Sequence, residues 1–468
     1  MNAPVCIGAR IAPRIAKPGD HVLIVGGGFS GTLLAINLLR HEGPRATLIE
    51  RRPLQVARGV AYSAAHPSHL LNVRAGNMSA LPDEPDHFVR WLGARGEGGR
   101  TSFVPRTTYG AYLHEMLGAA CERAPGRLRL IEGEAVDLAH DGQGVAVTLA
   151  DGAAIAGDVA VLAVGNLPPH DPPGLGADAL PSSCYSADPW AADIGDGLTD
   201  DDTVVLVGTG LTAVDAALLL DAGGFGGRIL ALSRRGLAPH RHQDGLPHCD
   251  PVLERPSGPL SGVVAHVRAR AAASGWRTAV DELRPMTHIM WGAATGPERA
   301  RFLRHARPYW DIHRHRLAPA IADRIDALVS EGRLTFAGGK PVGIETQERG
   351  ATLRWRPRGT NEVVETRAAR IVNCTGPQGD LLRSREPLLR RLLDVGAIRP
   401  DPLRLGLDVD AQSRIVGRSG DVSDRLHAIG PMTRGGVWEI VAVPDIRWQS
   451  WNLARRLSNA QWVGGEGL

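Results

Sequence analysis

The sequence predicts an α/β fold built twice over. One strand, glycine turn and helix pattern occurs at two places, and each copy brings its own later strands. Residues 19–39 read GDHVLIVGGGFSGTLLAINLL, and residues 201–220 read DDTVVLVGTGLTAVDAALLL. Farther on, GRLRLIEGEAVDL at 126–138 is echoed by GRLTFAGGKPVGI at 332–344, and DVAVLAVGN at 158–166 by ARIVNCTGP at 369–377. One such motif is a weak signal. Two complete copies predict two Rossmann-like dinucleotide-binding domains, the second inserted in the first. The expected units are a discontinuous one at 1–198 and 381–468, and a second at 199–380 that carries a helical insertion over about 236–320.

The first copy has the marks of an FAD site. Val22 to Val25 form a short apolar run suited to a buried parallel strand. Gly26, Gly28 and Gly31 follow as GxGxxG. The first glycine permits the tight turn, the second lets backbone approach a pyrophosphate, and the third lets helix pack close to strand. The helix start at Ser30 to Thr32 offers unpaired N–H groups and a positive dipole end to the phosphates. Leu33, Leu34, Ile36, Leu38 and Leu39 give that helix an apolar face. Glu50 ends the strand ATLIE, where a carboxylate can accept both ribose hydroxyls of an adenosine; Arg51 stands beside it. A glycine turn with no ligand is the plain alternative.

The second copy reads as an NADPH site. Gly208, Gly210 and Ala213 give GxGxxA after the strand Val204 to Val207, with Thr212 in the first helical turn. Aligning the two turns puts Ser233 of LALSRR opposite Glu50 of TLIERR. A carboxylate repels a ribose 2′-phosphate, whereas a hydroxyl with guanidiniums binds it through charge-assisted bonds. Ser233, Arg234 and Arg235 therefore predict NADPH rather than NADH. Paired arginines also follow Glu50, so the lost acid carries most of that weight. Gly165 and Gly376, which close the echoed strands, are candidates for the FAD and NADPH sites respectively.

Three further stretches hold candidates. In LHAIGPMTRGGVWEIVAVP at 426–444, Gly430, Gly435 and Gly436 permit close backbone approach, and a helix expected to begin near Val437 would face the flavin pyrimidine. Arg434 and Trp438 join that FAD set; a glycine-rich loop capping a helix is the bland reading. Pro444 would end that helix and suit the first turn of the next, which runs through Arg456. HLLNVRAGNMSALPDEPDHFVRWL at 69–92 is too rich in Asn, Met, Pro and Asp for a simple core helix. It is expected to wall the isoalloxazine ring, with Asn72, Arg74 and Met78 as candidates, although Met78 also suits plain packing. FVPRTTYGAYL at 103–113 reads as a strand end leading into a helix, with Arg106 either reaching the FAD phosphates or lying on the surface. In the insertion, Trp310, Asp311, His313 and Arg314 either line a substrate pocket or pack a helix between domains. Asn72, Arg74, Trp310, His313 and Arg314 are the catalytic candidates. The spacing of His240, His242 and His248 matches no usual zinc pattern, so no metal is expected.

Bulk properties narrow the field. A chain of 468 residues exceeds one ordinary hydrophobic core. A net charge of +3, with no basic run interleaved with aromatics, argues against nucleic acid. Lys17 and Lys340 are the only lysines, a bias more suited to a GC-rich genome than to guanidinium-based function. No apolar stretch is long enough to span a bilayer, and the first 18 residues lack the apolar core of a secretory signal and read as a loose arm. Cys6, Cys121, Cys184, Cys249 and Cys374 are scattered and odd in number, which predicts reduced thiols, a cytoplasmic location and no dithiol relay beside the flavin.

GGGFSG, RGVAYS at 58–63, HLLNV, PDEPDHFVRWL, YWDIHRHRLAP and GPMTRGGVWEIVAVPDIRWQ together resemble the bacterial FAD/NAD(P)-binding oxidoreductases, over nearly the whole chain. These are similar to flavin monooxygenases that use FAD and NADPH on one chain, and assigned members include FAD-dependent urate hydroxylases and amino-acid N-oxygenases. The resemblance implies FAD at Gly26, Gly28, Gly31 and Glu50, and NADPH at Gly208 and Gly210. Two departures stand out. The late motif has Gly430-Pro431 where wider flavoproteins carry Gly-Asp, and the FxGxxxHxxxW fingerprint of Baeyer–Villiger enzymes is absent. The expected activity is NADPH-dependent flavin reduction, formation of a C4a-(hydro)peroxide from O₂, and hydroxylation of a small polar nitrogen-containing substrate, either a urate-like heterocycle or an amine. A reductase passing electrons to a quinone or partner protein is the first alternative, and a non-catalytic FAD-binding protein the second. A small-molecule substrate and O₂ are the expected partners, with no nucleic acid and no membrane.

Overall fold

The computed structural model describes residues 20–459 except 42, 64–65, 173–174, 176–179, 191–192 and 244–257. The N-terminal arm, Cys6, His248 and Cys249 lie outside the described residues. The first half runs β1 (His21–Val25), α1 (Phe29–Arg40), β2 (Arg45–Glu50), α2 (Gly59–Ser63), α3 (His87–Gly93), α4 (Arg106–Arg123), β3 (Leu128–Glu132), β4 (Ala135–His140), β5 (Val145–Leu149), β6 (Ala154–Gly157) and β7 (Val159–Leu162). The second half runs β8 (Tyr185–Ser186), β9 (Thr203–Val207), α5 (Leu211–Ala222) and β10 (Arg228–Ser233). It continues with α6 (Leu260–Ser274), α7 (Trp276–Leu283), α8 (Thr287–Ala293), α9 (Gly296–His305), α10 (Arg307–Arg314) and α11 (Pro319–Ser330), then β11 (Leu334–Thr346), β12 (Ala351–Pro357), β13 (Val364–Ala368) and β14 (Arg370–Asn373). The chain closes with α12 (Pro387–Val395), β15 (Arg414–Val416), β16 (Val422–Ala428) and α13 (Val443–Leu457).

Two sheets carry the two copies, in the orders β15-β16-β7-β1-β2-β3 and β13-β12-β11-β10-β9-β14-β8. In the first, Val22 sits between Ala46 and Val159 in parallel register. In the second, Val204 sits between Ile229 and Arg370 in the same way. Apolar runs such as Val22–Val25 and Val204–Val207 are buried on both faces, as a parallel sheet covered by helices requires. The fold is therefore α/β with two Rossmann-like sheets. The copies differ after their third parallel strand. In the first, the chain breaks at Gly133 into a separate antiparallel sheet, β4-β5-β6. In the second, β11 continues through a bulge between Pro341 and Gly343 and pairs with β12 in the same sheet.

The crossings between halves run side by side, with Leu167 bridging Gln378 antiparallel. Tyr185–Ser186, which a boundary at 198 assigns to the first unit, pairs with Ile371 and Val372 in the second sheet. The crossing into the second sheet thus precedes residue 185. Between β10 and α11 the chain is irregular over 234–243 and helical in α6–α10 from Leu260, and Thr295 caps α9 reciprocally with Glu298. The helix expected to begin near Val437 is not formed. Residues 434–442 are mostly turns, and the helix α13 starts at Val443 with Pro444 in its first turn. The backbone there makes tight turns instead, the Ile440 N–H donating to the Val437 carbonyl and the Ala442 N–H to that of Glu439, while the Gly435 carbonyl accepts the Trp291 indole N–H at 2.8 Å. No helix among the described residues is long and apolar enough to cross a membrane.

The first glycine of each turn is held in the same way. A Cβ on Gly26 would stand 2.3 Å from the Ala163 carbonyl oxygen, and one on Gly208 2.2 Å from that of Cys374. Gly208 also has φ +134°, so an added methyl group meets both a backbone wall and a disfavoured conformation. Gly208→Ala is expected to lower stability by about 1–3 kcal/mol. Chemical denaturation with an unchanged midpoint would show that the turn relaxes freely.

Candidate functional site

The first glycine turn opens into a cleft on the surface of the first half. Gly26, Gly28, Ser30, Glu50, Arg51 and Gly165 of the sequence candidates line it, together with Arg58, Tyr62, Asn166 and Pro431. The local chain dictates this arrangement. β2 delivers Glu50 to the turn, where one carboxylate oxygen accepts the Gly27 N–H at 2.8 Å and the other the Arg52 N–H at 2.9 Å. Each oxygen keeps a second lone pair for a ribose hydroxyl. Helix α1 begins at Gly28 with no side-chain cap, so its first amides face the cleft unshielded. Gly31 and Gly430 stand behind the wall. A Cβ on Gly31 would lie 2.0 Å from the Gly26 oxygen, and one on Gly430 would lie 2.4 Å from the Ser30 hydroxyl oxygen. Across the mouth, Arg51 bridges Glu386 at 2.7 Å and Glu134 at 3.2 Å.

Arg58 is the residue that motif reading missed. Its Nε is buried with no hydrogen-bond partner, and its side chain lines the cleft that Gly28 and Ser30 also line. A buried guanidinium N–H without an acceptor is costly, and a phosphate oxygen is a natural acceptor. The available signal was the arginine opening RGVAYS, read only as part of a family likeness.

The second turn is more open. Helix α5 starts at Gly210 with no side-chain cap, and nothing stands within 4 Å of a Cβ built there. Thr212 lies in the first turn of α5, half-buried. Ser233 ends β10, and its hydroxyl pairs with Thr209 at 2.9 Å and accepts the Gly236 N–H at 3.0 Å. Arg234 is exposed, and the Arg235 guanidinium lies 4.8 Å from the Tyr309 ring centre. Gly376 sits on the returning crossing with φ +85°.

The remaining candidates lie away from the cleft, most of them along the seam between the halves. Arg106 pairs with Asp215 of α5 at 2.7 Å, and His69 Nε2 lies 3.0 Å from the Asp215 carbonyl. The Asn72 carbonyl meets His242 Nε2 at 2.9 Å, and Arg74 donates to the Gln243 carbonyl. Met78 is 2% exposed and packs in the core around Tyr109 and Tyr112. Trp310 donates its indole N–H to Glu439 at 3.0 Å, and Arg314 meets the same carboxylate at 3.2 Å. Burial opposes ionisation of Glu439, but Arg314 and Arg284 outweigh it and leave the carboxyl below its usual range. Arg284 also pairs with Asp445 at the start of α13. His313 stacks on His240 at 4.8 Å and contacts Trp276 at 4.3 Å. Trp438 stacks on Trp291 at 4.6 Å. Arg434 lies over the Trp438 ring, and burial lowers its pKa to about 10. A Cβ on Gly435 would collide with Asp401, and one on Gly436 would have only ordinary contacts. The contacts of His242 and Gln243 with the 69–92 stretch, and of Trp310, Arg314 and Trp291 with Glu439 and Trp438, tie the helical insertion to the first half and the C-terminal segment.

With this geometry in view, residues 23–167 match the family model described as FAD-NAD(P)-binding. A search of curated proteins returns no match. Among solved structures, the ornithine hydroxylase of Pseudomonas aeruginosa is 15% identical, with 94% of this chain and 98% of that one covered and a TM-score of 0.62. The L-lysine 6-monooxygenase of Pseudomonas syringae is 16% identical over 94% and 99%, with a TM-score of 0.64. The cadaverine monooxygenase of Erwinia amylovora, solved with FAD bound, is 13% identical over 94% of both chains, with a TM-score of 0.65. The first half is thus an FAD-NAD(P)-binding domain, and the whole chain has the fold of these monooxygenases.

The seam makes two predictions. Glu439→Ala leaves Arg314 and Arg284 without their shared carboxylate and is expected to cost about 3–5 kcal/mol. Thermal denaturation with an unchanged midpoint would show that the cluster contributes nothing. Burial holds His242 and His315 down at about 4, below the unfolded value of about 6.5. Their stabilising share is fully present above pH 6.5 and is lost as pH falls towards 4. Denaturation midpoints should drop over that window, and less steeply in His242→Gln; parallel curves for the two proteins would refute the assignment to His242.

Proposed function

We propose that the chain is an NADPH-dependent FAD monooxygenase that hydroxylates the nitrogen of a small amine. The single observation behind this reading is the pair of unlike cradles on one chain: β2 ends on a carboxylate at a glycine turn, and β10 ends on a hydroxyl flanked by guanidiniums. The first suits the free ribose of FAD and the second the phosphorylated ribose of NADPH. The hydroxylases and monooxygenases named above support the amine branch, since they are named for ornithine, lysine and cadaverine. They lend no support to a urate-like heterocycle.

The cleft's own residues fit the flavin. Glu50 would hold the adenosine ribose, and the first amides of α1 with Arg58 would hold the pyrophosphate. Bound FAD supplies hydride acceptance and oxygen activation, chemistry that no side chain can perform. The protein's part is to seat the two nucleotides and to exclude water between them. The Glu439 cluster and the Arg106–Asp215 pair hold the halves together across the seam.

Arg58→Ala and Glu50→Gln are each expected to weaken FAD retention about tenfold or more, read as flavin absorbance after desalting. Retention equal to the parent protein would remove these residues from the site. The activity is tested by NADPH oxidation with a panel of diamines and basic amino acids under labelled O₂. Label in a hydroxylamine product is the expected result. Rapid reduction of quinones with no label incorporated would favour the reductase alternative instead.

A further inference from the structure

We propose that Arg358, on the turn after β12, is a specificity-determining residue for the 2′-phosphate of NADPH, acting with Arg235 and the Tyr309 phenol. This rests on the reading of the second cradle as an NADPH site and adds residues from two elements far from its motif.

The sheet register puts Arg358 there. Ser233, at the ribose end of β10, pairs with Gly338 of β11. The Gly338 carbonyl accepts the Arg358 N–H at 2.8 Å, so Arg358 is presented one strand away from Ser233. Gly338 is the hub of this corner. A Cβ there would stand 3.2 Å from the Arg235 backbone and 3.5 Å from the Arg358 Cβ. Gly236, at φ +65°, turns the chain back so closely that a Cβ on it would lie 2.6 Å from the Gly338 nitrogen. Arg235 and Arg358 thereby converge on Gly338, the register partner of Ser233.

The third member comes from the helical insertion. Tyr309, on α10, lies under the Arg235 guanidinium. Arg235 first and then Arg358 pull its phenol below the ordinary value by hydrogen bonding and charge. Among the described residues no carboxylate forms an ion pair with Arg235 or Arg358. Two guanidiniums converging on one corner repel each other, and a doubly charged phosphate between them would turn that repulsion into attraction. A ribose lacking the phosphate offers nothing to Arg358. Arg234, next to Arg235 in sequence, is exposed.

The test is calorimetric binding of 2′,5′-ADP and 5′-AMP to the full-length protein. The parent should bind 2′,5′-ADP more tightly, with affinity falling as salt rises. Arg358→Ala should weaken 2′,5′-ADP about tenfold or more while leaving 5′-AMP unchanged, and Arg358→Lys should recover part of the loss. If the parent discriminates and Arg358→Ala binds 2′,5′-ADP equally well, this inference falls and the NADPH reading stands. If the parent does not discriminate, both fall. Arg358 is exposed on a turn, and an unaltered circular dichroism spectrum separates lost binding from lost folding.

Discussion

Both cradles depend on one steric fact: a glycine at the end of a strand allows the backbone of another strand to close against it. Gly26 and Ala163 meet in the first half, and Gly208 and Cys374 meet in the second. The hydrogen bonding repeats as well, Gly26 donating to Ile49 and Gly208 to Leu232. With the turn pinned from both sides, the following helix starts where its free amides face outward. The acid or hydroxyl at the end of the next strand then falls within reach of the same ligand. Every other feature of the two sites is arranged around that closure.

The difference between the cradles lies at the end of the second parallel strand. Glu50 has both oxygens engaged by backbone amides, which holds its side chain in a set position. Ser233 is engaged by Thr209 and Gly236, which leaves the surrounding charge to arginines. One fold thus presents an acid at one turn and a hydroxyl at the other by changing one residue. The long β11 matters here. Its continuation into β12 carries Arg358 to the second cradle, whereas the break at Gly133 leaves Glu134 and Ala135 at the edge of the first.

The seam between the halves is held by polar contacts with little exposure, among them Arg106–Asp215 and the Glu439 cluster. Several residues with the look of catalytic groups, such as Trp310 and Arg314, are engaged in it. Buried charges of this kind specify an arrangement more than they stabilise one. Their chemistry resembles that of an active site because both need ionisable groups with satisfied partners.

The glycine turns, Glu50, Ser233 and the doubled α/β pattern were legible in the sequence because they depend on contacts within one strand–turn–helix unit. Backbone conformation and helix direction set those contacts locally. Arg58, the engagement of Trp310 and Arg314 with Glu439, and the Arg358–Tyr309 corner were not legible. Each joins elements tens to hundreds of residues apart, and spacing along a chain carries no information about which strand lies beside which. The turns over 434–442 belong to the same class, since a helix was the local expectation while Trp438 and Glu439 pack on the distant helical insertion. The sequence by itself determined where dinucleotides could sit. Only the tertiary structure decided which distant side chains would face them.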